Sequence, residues 1–104
     1  MERRRVAVTG LGVVSPLGNT VPEFWSAVRA GRSGIGPITA VKADDLPVRI
    51  AGEVKDFDPS LRMDAKEARK MDRFSQFAVY AAFEALADAG LKVEELDRER
   101  TGVC

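Results

Sequence analysis

The sequence contains no histidine and a single cysteine, Cys104. The first absence removes the commonest general base and metal ligand. The second excludes an internal disulfide and points to a reducing compartment, the cytoplasm. Together they exclude a thiol nucleophile paired with an imidazole, and a zinc site, from these residues. No apolar run is long enough for a membrane span or a signal-peptide core, since Val6-Ala-Val-Thr9 is too short for either. Net charge is also lacking: 16 basic and 16 acidic side chains cancel. The balance argues against a nucleic-acid or membrane-surface partner, so electrostatic recognition has to be local.

What is present fits one small globular unit, with an apolar share of 45% over 104 residues. Arg5 to Thr9 is apolar and β-branched before Gly10-Leu-Gly12, which predicts a short buried strand leaving through a glycine turn. Thr20-Val-Pro22-Glu23 has capping-box spacing and predicts a helix starting there. Phe24, Trp25 and Val28 share one face of that helix as core residues, and Gly31 supplies its stop. Arg32 to Asp45 holds Gly34, Gly36 and Pro37, which predicts a winding connection with at most a brief helical turn. Val48 to Val54 reads as a short edge strand weakened by Gly52, closed by the turn Asp56-Phe-Asp-Pro59-Ser60.

Asp64-Ala-Lys-Glu67 repeats the capping spacing, and no breaker follows before Gly90, so one long helix is predicted from Asp64 to Ala89. Phe77, Ala78, Tyr80, Ala81, Ala82, Phe83, Ala85 and Leu86 make its second half apolar around most of the circumference. A domain this small can scarcely cover such a helix, which predicts further protein around it. After the acidic loop carrying Glu94, Glu95, Asp97 and Glu99, the run Thr101-Gly-Val-Cys104 reads as a strand that is cut short, with Cys104 as core filling.

Two patterns bear on function. Val8 to Ser15 resembles the start of a dinucleotide fingerprint, which a nicotinamide-dependent reductase would use. The third glycine position holds Ser15 and the helix opens only near Thr20, so a tight turn is the better reading. On the long helix, Lys66, Arg69, Lys70 and Arg73 fall at i, i+3, i+4 and i+7, one basic face. Its like-charge i,i+4 pairs each cost about 0.2–0.5 kcal/mol in an isolated helix. Asp64, Glu67 and Asp72 flank the stripe, so a solvated mixed-charge face and a docking face for an acidic protein both fit. Ser33 is a loop hydroxyl with no base to activate it.

Several blocks in order carry a resemblance: Arg4-Arg-Val-Ala-Val-Thr-Gly-Leu-Gly12, Ser15-Pro-Leu-Gly-Asn19, Phe24-Trp25, Ala30-Gly-Arg-Ser-Gly-Ile35, Lys70-Met-Asp-Arg-Phe74 and Ala87-Asp-Ala-Gly-Leu91. They resemble the opening of bacterial β-ketoacyl-acyl-carrier-protein synthases of the synthase II type. The resemblance implies an α/β, thiolase-like fold layered αβαβα and assembled as a homodimer. Residues 1–104 would be the first part of its N-terminal half, ending within a strand. It implies acyl transfer from acyl carrier protein to an active-site cysteine, then decarboxylative Claisen condensation with a malonyl thioester. That cysteine and the two histidines of the condensation step lie downstream in the family. No catalytic residue, cofactor or metal is therefore expected in this chain, which alone would be inactive, and Cys104 is not the nucleophile.

By the same resemblance Lys66, Arg69 and Lys70 face the acidic helix of the carrier protein, and Arg73 joins them on spacing alone. A polyketide ketosynthase, a chain-length-factor subunit of the same fold, and a non-enzymatic carrier-binding module are the alternatives.

Overall fold

A computed structural model describes residues Glu2–Cys104. Three α-helices carry the architecture: α1 (Val21–Arg29), a short α2 (Ala65–Arg69) and α3 (Arg73–Asp88), with a small hairpin, β1 (Ile35–Pro37) and β2 (Ile50–Gly52), between α1 and α2. The hairpin is antiparallel, with Ile35 opposite Gly52, Gly36 opposite Ala51 and Pro37 opposite Ile50. Its loop is closed by the Glu53 carboxylate, which accepts from the Thr39 and Ala40 N–H groups and the Thr39 hydroxyl at 2.9–3.0 Å.

α1 begins where the capping residues place it. The Thr20 hydroxyl accepts from Glu23 N at 3.3 Å, while Glu23 reaches back one residue further than a standard box, to Asn19 N at 3.1 Å. Both α1 and α3 end in the two-bond motif that a left-handed glycine closes. Arg32 N and Gly31 N donate to Ala27 O and Val28 O, and Leu91 N and Gly90 N donate to Leu86 O and Ala87 O. Gly31 and Gly90 have φ near 70°, where a Cβ would be strained.

The segment from Gly10 to Val13 lies along α3, its glycines serving a different purpose from the turn expected of them. A Cβ on Gly12 would land on the Ala81 carbonyl and 2.9 Å from Ala85 N, and one on Gly10 would come 2.8 Å from Ala89 N. Absence of side chains is what lets backbone meet helix backbone. Polar anchors fix the register: Leu11 N donates to Asp88 at 3.0 Å and Val13 N to Glu84 at 2.8 Å. The second Glu84 oxygen accepts Val21 N, the first residue of α1, at 2.9 Å. One buried carboxylate thus ties the loop, α1 and α3 together, and it sits favourably at a helix N-terminus.

Several sequence expectations are corrected. Arg5–Thr9 forms no strand and is exposed, Val6 at 90% and Val8 at 79%, because none of the described residues lies beside it to complete a ladder. Thr101–Cys104 likewise forms no strand, and Cys104 is exposed rather than core. Within Arg32–Asp45 the chain makes β1 instead of a helical turn, while β2 is a shortened form of the expected strand. On α1 the inward side carries Ala27, and Trp25 and Val28 are exposed. The expected single helix from Asp64 to Ala89 is broken at 70–72, with extended backbone at Asp72 (ψ 157°).

Only Ala27, Ala68 and Tyr80 among the described apolar residues are buried, with Glu84 beside them. α3 buries Tyr80 and Glu84 alone, and Phe74 at its start is 72% exposed. The expectation that these residues cannot cover the helix agrees with what is observed. No helix is long and apolar enough to cross a membrane among the described residues.

Candidate functional site

The break between α2 and α3 governs the basic segment. α2 has five residues and no side-chain cap at Asp64, so the predicted capping box does not form. Glu67 instead accepts from Lys70 Nζ at 3.3 Å, both side chains being largely solvent-exposed. Such an exposed pair contributes about 0–1 kcal/mol. Ala68 turns inward at 2% exposure, leaving Lys66 and Arg69 on the outer side of the same turn and Lys70 at its C-cap. These three are brought together.

Arg73 does not share that turn. It opens α3, a separate helix, and its guanidinium lies over Phe77 (5.0 Å to the ring centre) and Phe57 (5.7 Å). Its Nη2 donates to Val54 O at 3.2 Å. The i+7 spacing that placed it with the others assumed an unbroken helix. The signal for the break was present in Asp72, a residue type that favours the N-cap position.

Beneath the segment is an aromatic cluster. Phe57 meets Phe77 edge to face at 4.9 Å and Tyr80 at 5.0 Å, and Arg62 lies 5.4 Å from the Tyr80 ring centre. Gln76 Nε2 donates at 2.8 Å to Ala68 O, a carbonyl at the end of α2 that also accepts from Met71 N at 3.0 Å. The sequence reading missed Arg62, Gln76 and Glu84. Glu84 had a usable signal, being the only acid between Asp72 and Asp88 and set within the apolar run Phe77 to Ala87.

A cavity of about 330 Å³ lies between the Ser15–Thr20 turn, Lys55, Asp56, Leu61 and Tyr80. Asn19 Oδ1 is buried there without a hydrogen-bond partner, while its Nδ2 donates to Lys55 O at 2.8 Å. The glycine segment offers nothing comparable for a nucleotide. Gly10 and Gly12 are pressed against α3, and the Leu11 and Val13 N–H groups are already taken by carboxylates. A phosphate would meet acids, which removes the reductase alternative. No group of three or more acidic or thiol side chains among the described residues could hold a metal ion.

Comparison with known proteins gives a consistent picture. The profile of the family described as beta-ketoacyl synthase, N-terminal domain, matches residues 3–104. A 3-oxoacyl-[acyl-carrier-protein] synthase 2 from Coxiella burnetii is 53% identical over 103 residues, 99% of this chain and 25% of the relative. Those from Synechocystis sp. and Vibrio harveyi are 50% and 48% identical with the same coverage. The chain thus spans about a quarter of the length of these relatives. Among solved structures, the ishigamide ketosynthase/chain length factor superposes with a TM-score of 0.82 at 42% identity, covering 91% of this chain and 24% of that one.

Proposed function

Since the chain belongs to the β-ketoacyl synthase family through its N-terminal domain, we propose that it is the opening part of a condensing enzyme of fatty acyl elongation. In that reaction a cysteine thiolate displaces the carrier thiol from an acyl thioester. Loss of carbon dioxide from a malonyl thioester then generates an enolate, whose carbon attacks the bound acyl group and releases the cysteine. A thiolate suits the first step because it is the more reactive nucleophile, and hydrogen-bond donors aimed at the enolate oxygen suit the second. Both sets of groups belong to the rest of the enzyme, and residues 1–104 supply scaffold and partner recognition.

The observation that carries this reading is the match to synthase 2 relatives at 48–53% identity along nearly the whole chain. The relatives matched at these identities are 3-oxoacyl-[acyl-carrier-protein] synthases 2, which supports the elongation reading. The open faces of α3 support a layered αβαβα assembly in which this helix is wrapped by the remaining sheets and helices. A cytoplasmic homodimer is the assembly in keeping with that reading. Lys66, Arg69 and Lys70, exposed on and beside α2, form the docking face for the acidic carrier protein.

The test is charge reversal at Lys66, Arg69 and Lys70 in the complete enzyme, comparing kcat/KM for a carrier-bound substrate with that for a small free thioester. The ratio should fall by at least about tenfold, because like charges set against each other at an interface cost several kcal/mol. Equal loss with both substrates would remove the docking role.

A further inference from the structure

Two residues of the first turns of α3 hold the two flanks of the basic segment. Arg73 donates to Val54 O and covers Phe57 and Phe77, and so grips the chain entering the segment. Gln76 donates to Ala68 O and grips α2 as it leaves. Between these grips the chain runs through the Asp58-capped 3-10 turn Pro59–Leu61 into α2, whose five residues are too few to be stable alone. A helix of that length keeps a fixed orientation only if something outside it imposes one.

Local devices within α2 supply little of that. Asp64 makes no side-chain cap, and the Lys70–Glu67 pair is exposed. Ala68 is the only buried residue of α2 and offers little apolar surface. The contacts from α3 are therefore specific bonds at both flanks of the segment that carries Lys66 and Arg69. The planar guanidinium of Arg73 stacks on rings while its edge donates to a carbonyl, a combination the ammonium of lysine does not reproduce.

We infer that Arg73, with Gln76, is a positioning residue for partner docking: it orients the Lys66–Lys70 face through Phe57 and Val54, and does not itself contact the carrier protein. The inference rests on the docking reading above and adds to it a division of labour among four basic residues. Charge-bearing contacts are Lys66, Arg69 and Lys70, and Arg73 acts by geometry.

The two roles separate in their dependence on salt and on side-chain shape. An exposed charge that meets the partner contributes to the slope of log KM against log salt, and a residue acting through another does not. The experiment measures KM for carrier-bound substrate across salt concentrations in the complete enzyme, for Arg73→Lys, Arg73→Gln, Gln76→Ala, Lys66→Gln and Arg69→Gln. Both Arg73 variants should raise KM about two- to fivefold, the size of a lost exposed cation–π contact, with an unchanged salt slope. Gln76→Ala should behave in the same way. Lys66→Gln and Arg69→Gln should raise KM and flatten the slope.

Amide hydrogen exchange supplies a second readout, with faster exchange in Arg73→Lys confined to residues 54–57 and 65–71. Wild-type KM in Arg73→Lys, combined with a raised KM and flattened slope in Arg73→Gln, would make Arg73 a direct charge contact and overturn the inference. Unchanged exchange in Arg73→Lys would overturn it as well. Unchanged KM and slope in both Lys66→Gln and Arg69→Gln would remove the docking reading itself and take this inference with it.

Discussion

Glu84 and Gly12 lie where the segment Gly10–Val13 meets α3. The carboxylate accepts Val13 N and Val21 N from two separate segments, and it is only 6% exposed. Replacing it with alanine leaves both donors without partners, at about 1–3 kcal/mol for each buried unsatisfied group. Glutamine restores one acceptor but presents a donor to the other N–H, so Glu84→Gln should recover only part of the loss. Gly12→Ala is a different failure, because the added methyl meets the Ala81 carbonyl and helix backbone cannot move aside. A cost of about 1–3 kcal/mol or more is expected from such overpacking. Denaturant unfolding of the complete protein measures all three, and near-wild-type stability in Gly12→Ala would show that the segment does not lie against α3.

At the scale of elements, the hairpin depends on one side chain outside it. The Ala40 N–H, then the Thr39 N–H and hydroxyl, and then the charge of Lys55 hold the Glu53 carboxyl below its ordinary value of 4.5. A depressed carboxyl stabilises the folded form at pH values above its unfolded pKa, and that contribution is lost as pH falls through the folded pKa. The loop between β1 and β2 should therefore loosen on acidification below the ordinary glutamate range. Amide exchange at Thr39 and Ala40, corrected for the intrinsic pH effect, checks this. Glu53→Gln should abolish the pH dependence, and a dependence that persists would assign it to another group.

The elements also show where periodicity is a sound guide and where it is not. Thr20, Gly31 and Gly90 act through bonds to backbone a few residues away, so α1 and the end of α3 were legible in the sequence. The break at Asp72 was harder to see, since Lys66 to Arg73 keeps helical spacing across it. Beside that break Gln76 and Arg73 reach carbonyls earlier in the chain, Ala68 O and Val54 O, which spacing along one helix does not show. The unbroken helix on which the spacing of Arg73 from Lys66, Arg69 and Lys70 relied is therefore two helices.

The whole molecule is expanded for its size. Its radius of gyration is 17.1 Å, against about 13 Å for a compact domain of this length. Its accessible surface is 8881 Å², against about 5,700 Å² for a folded monomer of this mass. Val6, Val8, Trp25, Ile35, Ile50 and Phe74 are each more than half exposed. Residues 1–104 prepared alone should therefore bind a hydrophobic dye, self-associate, and unfold without a sharp cooperative transition. A dye-silent monomer with a steep denaturation curve would contradict this and the layered assembly proposed above.

The sequence by itself determined family membership, the caps of α1 and the stop of α3, and the mismatch between an apolar helix and the little available to cover it. All of these are local or compositional. Only tertiary structure decided that Gly10 and Gly12 are contact surfaces for α3, that Glu84 joins three segments, and that the Arg73 guanidinium lies over an aromatic cluster. Each depends on residues brought together from far along the chain. Helical and strand periodicity records which side of an element is apolar, but not which distant backbone group will reach it.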